Sequence, residues 1–304
     1  MKRREFLKAG MVATGGALVA ERLVAQGAAR QAARRFRLDY APHFGMFKHL
    51  AGDNLTDQLT FAAEQGFTAW EDRAIARRPV DLQRRIARTM ETLGMRLGVV
   101  AVIERFRDGS SLSNWHYRRW DVVQDVGQSI ELAKRVNARW LTIDLGSYGT
   151  VLEWYHQKAT CVEVLKRCAE VLQRHELVLV LEPSTWRNTR HGRSGDGLSL
   201  VQDICRMVDS PACKLLFDLY QQHCDGGDVL AQIDSSWPRI ACFQCGDTRG
   251  RKEPGTGEID YPRIFHHIAS RGFTGVVGME HGNSLPGRAG DQAVIDAYLR
   301  VDRC

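Results

Sequence analysis

Eight short apolar runs recur along this 304-residue chain, each separated from the next by enough residues for a helix. They fall at 36–40, 68–70, 97–103, 140–143, 177–181, 215–217, 240–243 and 276–279. Their apolar character is continuous rather than alternating, which is the pattern of parallel strands buried on both faces. The intervening segments carry helical periodicity. Leu82, Ile86, Met90 and Leu93 share one helical face and Gly94 supplies a stop; Val162, Leu165, Cys168, Ala169 and Leu172 repeat the pattern ahead of His175. Gly66 and Gly272 sit in similar helix-ending contexts, Gln65-Gly66-Phe67-Thr68 and Arg271-Gly272-Phe273-Thr274. Strand and helix alternating through eight units predicts one α/β domain over 36–304, a single (β/α)8 TIM barrel. A doubly wound sheet is the alternative.

The net charge of +6 resides in residues 1–35, where eight Lys/Arg face two acids. The remaining body is close to neutral, so charge gives no case for nucleic-acid binding. Arg3-Arg4 precede a mild apolar stretch at 9–20, too short to span a bilayer comfortably. This leader resembles a twin-arginine signal, with a small-residue cleavage point near Val24-Ala25-Gln26. The resemblance implies use of the twin-arginine export machinery, a periplasmic or exported location and no stable membrane anchor. Eight cysteines are present, and one pair, Cys242 and Cys245, has C-x-x-C spacing. Buried thiols are the better reading for most of them, with Cys213 able to pair with Cys205 or Cys224 in an oxidising compartment.

Each of the last four apolar runs ends in one polar residue: Glu182, Asp218, Gln244 and Glu280, at intervals of 36, 26 and 36 residues. Any one alone is an ordinary strand-end polar group. In a barrel all four converge on the axis at the C-terminal mouth, where three carboxylates repel one another unless a cation neutralises them. The all-oxygen set suits a hard divalent ion, Mn²⁺ or Mg²⁺. The polar, Gly/Pro-rich stretch 243–261 leaves the seventh run as a loop. His43 and Glu71-Asp72 follow the first two runs, as substrate contacts or as structural groups. Loops at 105–115 and 186–197 exceed the usual connection length, and the second carries Arg187, Arg190, His191 and Arg193. Trp115, Trp140 and Trp186 are candidates for an apolar wall against a sugar ring, with core packing as the alternative.

Leu181-Glu182-Pro183, Phe217-Asp218-Leu219-Tyr220, Gln244 through Asp247, Gly250-Arg251, Glu253-Pro254-Gly255-Thr256-Gly257-Glu258-Ile259-Asp260-Tyr261 and Gly278-Met279-Glu280 resemble the hydroxypyruvate isomerase family. That family lies within the xylose-isomerase-like, metal-dependent sugar isomerase/epimerase barrels. The resemblance implies a metal held by Glu182, Asp218, Gln244 and Glu280, with Glu182 and Glu280 as the proton-transfer pair. Proton removal beside a carbonyl would give an enediolate that a bound divalent ion stabilises. The implied substrate is a sugar or small hydroxy-carbonyl compound, contacted by Gln221, Asp247, Arg251, His43 and Glu71; Asp247 and Arg251 orient substrate or brace the site. Self-association into a homo-oligomer is compatible with this reading. Gln221 stands where many relatives have His, and Ser184-Thr185 stand where relatives often have Asn. The competing readings are a lyase eliminating a substituent from an oxidised glycoside, a glycosidase, a repair endonuclease and a non-catalytic sugar-binding protein.

Overall fold

A computed structural model describes residues 36–102, 115–145, 151–183 and 197–302, with side chains left out at 115–119 and 151–154. The leader at 1–35, the loop at 186–196 with Trp186, most of the loop at 105–115, the Trp115 side chain, Ser184-Thr185 and Cys304 lie outside the described residues. The strands are β1 (Asp39–Ala41), β2 (Ala69–Trp70), β3 (Arg96–Leu97), β4 (Val99–Ala101), β5 (Trp140–Asp144), β6 (Val178–Glu182), β7 (Cys213–Asp218), β8 (Ile240–Cys245) and β9 (Val276–Met279). All pairing between strands is parallel. Seven strands form one sheet in the order β1-β9-β8-β7-β6-β5-β4, and β2 pairs with β3. The Glu71 amide donates to Pro42 O at 2.8 Å and a parallel bridge joins His43 to Glu71, so β1 and β2 also meet. β3 and β4 are one strand interrupted at Gly98, which completes an eight-membered circuit.

Helices α1 (Lys48–Ala51), α2 (Leu55–Glu64), α3 (Val80–Leu93), α4 (Trp115–Val136), α5 (Val151–Gln173), α6 (Gly197–Val208), α7 (Leu219–Asp225), α8 (Val229–Ser236), α9 (Tyr261–Ser270) and α10 (Gly287–Val301) alternate with the strands. α3 stops where Gly94 enters the left-handed region at φ 69°, a conformation that favours glycine. Ile86, Met90, Leu165, Cys168 and Leu172 are buried in the layer between helices and sheet, as their spacing predicts.

A second, smaller cluster lies inside the barrel: Ala41, Ala69, Val99, Trp140, Val180, Leu216, Cys242 and Val276, one residue from each of the eight strands. Trp140 therefore fills this inner ring, with the Arg96 guanidinium 4.9 Å from its ring centre, and is not a wall for substrate at the mouth. Cys242 belongs to the ring, whereas Cys245 packs in the outer layer. Odd spacing on a strand sends the two thiols to opposite faces, so the C-x-x-C spacing makes no pair. The seven described cysteines are free thiols, and Cys213 hydrogen-bonds to Cys205 without a disulfide. Among the described residues no helix is long and apolar enough to cross a membrane.

Candidate active site

The inner ring fixes which residues reach the mouth. Side chains two positions apart on a strand share a face. Two residues beyond the ring stand His43, Glu71, Ala101, Thr142, Glu182, Asp218, Gln244 and Gly278; two further on stand Asp144 and Glu280. Neighbouring strands keep these in register: Asp144 pairs with Glu182, Asp218 with Gln244 and Gln244 with Gly278. Glu182, Asp218, Gln244 and Glu280 thus line one half of the mouth as their spacing predicts. Asp144 also ends its strand there, beside Glu182. It is the first charged residue after the apolar run 140–143, the same strand-end signal that marks the other four.

The charges of this group belong to one electrostatic unit. Burial raises the Glu182 carboxyl above its ordinary range, and the charges of Asp144 and Asp218 add to the rise; Arg73 and Arg251 oppose it. Burial likewise raises Asp218, against the Arg251 guanidinium and the amides of Gln221 and Tyr220. Arg251 is ion-paired with Asp218 and lies 4.9 Å from the centre of the Tyr220 ring. Arg73, which the sequence reading missed, is ion-paired with Glu280. That pair runs through Glu280 Oε2, which is closed to solvent. Among the described residues no three or more His, Cys, Asp or Glu form a ready cation cage. Two of the carboxylates are paired with guanidinium groups instead. The donor set nonetheless fits a hard divalent ion: three carboxylates and an amide from adjacent strands, and, with Asp144 beside them, more carboxylates than guanidinium groups.

Glu71 sits deeper than a mouth residue. Its side chain fills space that two glycines leave open: a Cβ at Gly98 would lie 2.6 Å from Glu71 Cγ, and one at Gly278 would lie 2.5 Å from Glu71 Oε1. This close approach also explains the break between β3 and β4. Burial pushes the Glu71 carboxyl up to about 7; Arg73 and the Val99 amide oppose the rise and Glu182 adds to it. The neighbouring Asp72 is not a mouth group. It grips Arg78 through two bonds of 2.5 and 3.0 Å, which pins the loop after β2.

Three of the residues expected at the substrate make hydrogen bonds within the protein. Asp247 is fully buried, and its oxygens accept the amides of Thr248, Gly255 and Ile259 at 2.8, 2.7 and 3.2 Å. It braces its loop, one of the two roles expected of it. Gln221 donates its side-chain amide to Asp225 Oδ1 at 2.7 Å, along its own helix and away from Asp218. His43 is held by backbone carbonyls, Phe44 O at 3.1 Å and His281 O at 3.2 Å. Behind Glu280, His281 Nε2 lies 2.8 Å from the Tyr298 hydroxyl, which lies 3.0 Å from Cys245 Sγ. Burial pushes His281 down to about 3, so a neutral ring anchors the strand end that carries Glu280. The loop of 247–252 is tight: Asp247 N donates to Lys252 O at 2.7 Å, and Arg249, Gly250 and Arg251 all have positive φ. Two of these are not glycine, a left-handed strain of about 1–2 kcal/mol each, and the turn places the Arg251 guanidinium on Asp218.

Residues 59–299 match the xylose isomerase-like TIM barrel family. The chain belongs to that family. Among curated relatives of this barrel, hydroxypyruvate isomerase of Escherichia coli is 29% identical over 126 residues, 40% of this chain and 47% of that protein. The 2-oxo-tetronate isomerase of Cupriavidus necator is 25% identical over 167 residues, 54% of this chain and 63% of that protein. The matches thus span about half to two thirds of those relatives' length. Among solved structures, the 3-keto-D-glucoside 4-epimerase of E. coli superposes with a TM-score of 0.69 at 15% identity, over 88% of this chain and 100% of that one. At that identity the likeness concerns the fold.

Proposed function

We propose that this family barrel is a divalent-metal-dependent isomerase or epimerase of a small sugar or hydroxy-carbonyl compound. The observation that carries the reading is the convergence of Glu182, Asp218, Gln244 and Glu280 one or two steps above the inner ring, on four adjacent strands. The curated relatives named above support the reaction class, since both are isomerases. The four residues would hold Mn²⁺ or Mg²⁺. When bound, such an ion supplies Lewis-acid stabilisation of negative charge on substrate oxygens.

The chain's own residues do the rest. Glu182 and Glu280, on strands separated by β7 and β8, face the mouth from two sides. One removes the proton from carbon beside the carbonyl; the same or the opposite one returns a proton to the neighbouring carbon or to the other face. Arg251 steadies Asp218, and the Tyr298–His281 contact fixes the strand end below Glu280. The twin-arginine resemblance of the leader adds export as part of this proposal.

The test is incubation with Mn²⁺ and a panel of ketoses, aldoses, hydroxy-keto acids and oxidised glycosides in D₂O, followed by NMR and mass analysis. Exchange of a carbon-bound hydrogen with conserved product mass supports the reading. Fragmentation of a glycoside would make the protein a lyase, and absence of exchange with every compound would count against proton-transfer chemistry.

A further inference from the structure

Arg73 is placed for more than surface charge. Its loop is pinned at one end by the Glu71–His43 bridge and at the other by the buried Asp72–Arg78 pair, while the Arg78 guanidinium lies 5.0 Å from the Phe44 ring centre. The backbone carrying Arg73 is therefore fixed, and its side chain is 56% exposed. From that base the guanidinium reaches past β1, from the end of β2 to Glu280 beyond β9. It is ion-paired with Glu280 through Oε2, an oxygen closed to solvent. It also acts on the charges of Glu71 and Glu182. A divalent ion coordinated by Glu280 cannot share that oxygen with a guanidinium. The two positive groups exclude each other by charge and by space.

We propose that Arg73 is an intramolecular counter-cation that competes with the divalent ion for Glu280 and, once displaced, binds an oxyanion group of the substrate at the mouth. This rests on the metal site proposed above. The guanidinium fork takes a carboxylate or a phosphate in two parallel bonds. Metal loading and anion capture then reinforce one another: the ion frees the guanidinium, and the anion holds it away from Glu280. By linkage the coupling is reciprocal, of the 5- to 150-fold order seen for coupled sites.

The experiment is titration of the full-length, chelator-stripped protein with Mn²⁺, followed by electron paramagnetic resonance and calorimetry. It compares wild type, Arg73→Gln and Arg73→Lys, each alone and with glycolate, glycerol 3-phosphate or the neutral ethylene glycol. Without an anion, Arg73→Gln binds Mn²⁺ about tenfold tighter than wild type, and Arg73→Lys falls between them. Glycolate or glycerol phosphate raises the Mn²⁺ affinity of wild type by a larger factor than that of Arg73→Gln; ethylene glycol raises neither. Which anion acts distinguishes a carboxylate-bearing from a phosphate-bearing substrate. Equal Mn²⁺ affinity in wild type and Arg73→Gln overturns the competition. Equal anion enhancement in the two overturns the coupling. Failure of wild type and all variants to bind Mn²⁺ overturns the metal site and this inference together, whereas normal binding unaffected by Arg73 overturns this inference alone.

Discussion

Replacing Glu71 by Gln should make the metal-stripped protein more stable above neutrality, and the size of the gain follows from where Glu71 sits. The carboxyl is buried between Gly98 and Gly278, and burial moves it from 4.5 to about 7. The unfolded chain loses this proton near 4.5, while the folded chain keeps it until about 7. Between those values the native state binds more protons, so stability falls as pH rises; below 4.5 the group contributes no penalty, and above 7 the penalty is complete. At ~1.4 kcal/mol per pH unit the full penalty is about 3 kcal/mol. Gln has nearly the same shape, keeps an acceptor for the Val99 amide and cannot ionise. The assay is urea denaturation of wild type and Glu71→Gln in a chelator at pH 4.5, 5.5, 6.5 and 7.5. The difference between the two curves cancels the other titrating carboxyls. It should grow in favour of Glu71→Gln by about 3 kcal/mol across this range. Parallel stability curves would show that Glu71 does not titrate inside the barrel and would refute the burial argument.

Three further outcomes follow from packing and hydrogen bonding. Asp247→Ala leaves the Thr248, Gly255 and Ile259 amides without their acceptor, and denaturation should show a loss of about 2–4 kcal/mol. Gly98→Ala drives a methyl into Glu71 Cγ; thermal denaturation should show a loss of about 1–3 kcal/mol, and adding Glu71→Ala should recover part of it. Tyr298→Phe removes the hydroxyl between His281 and Cys245; urea denaturation should show a loss of about 1–3 kcal/mol.

Much of the architecture was legible in the sequence because a parallel barrel buries both strand faces. That burial writes each strand as an unbroken apolar run, and the run's end marks the mouth. Glu182, Asp218, Gln244 and Glu280 stand out for the same reason: each is the first polar group after such a run. The third run reads as one strand over 97–103. It breaks at Gly98 because a side chain from a different strand, Glu71, needs the space. No local pattern records that contact. Arg73 was illegible because its importance depends on reaching past β1 to a residue 207 positions away in the chain. The family resemblance leaves Asp247 to orient substrate or brace the site, and puts Gln221 where many relatives have His. Their hydrogen bonds run to Gly255, Ile259 and Asp225, partners that only the folded loop and helix bring close.

The central claim is that the four strand-end residues form one cation site. Crystals soaked in Mn²⁺ and measured at the manganese absorption edge test it most directly. The account predicts a single anomalous peak per chain, within coordination distance of Glu182, Asp218, Gln244 and Glu280, with the Arg73 guanidinium moved off Glu280. A peak elsewhere in the barrel, or none at this mouth while Arg73 remains on Glu280, would contradict it.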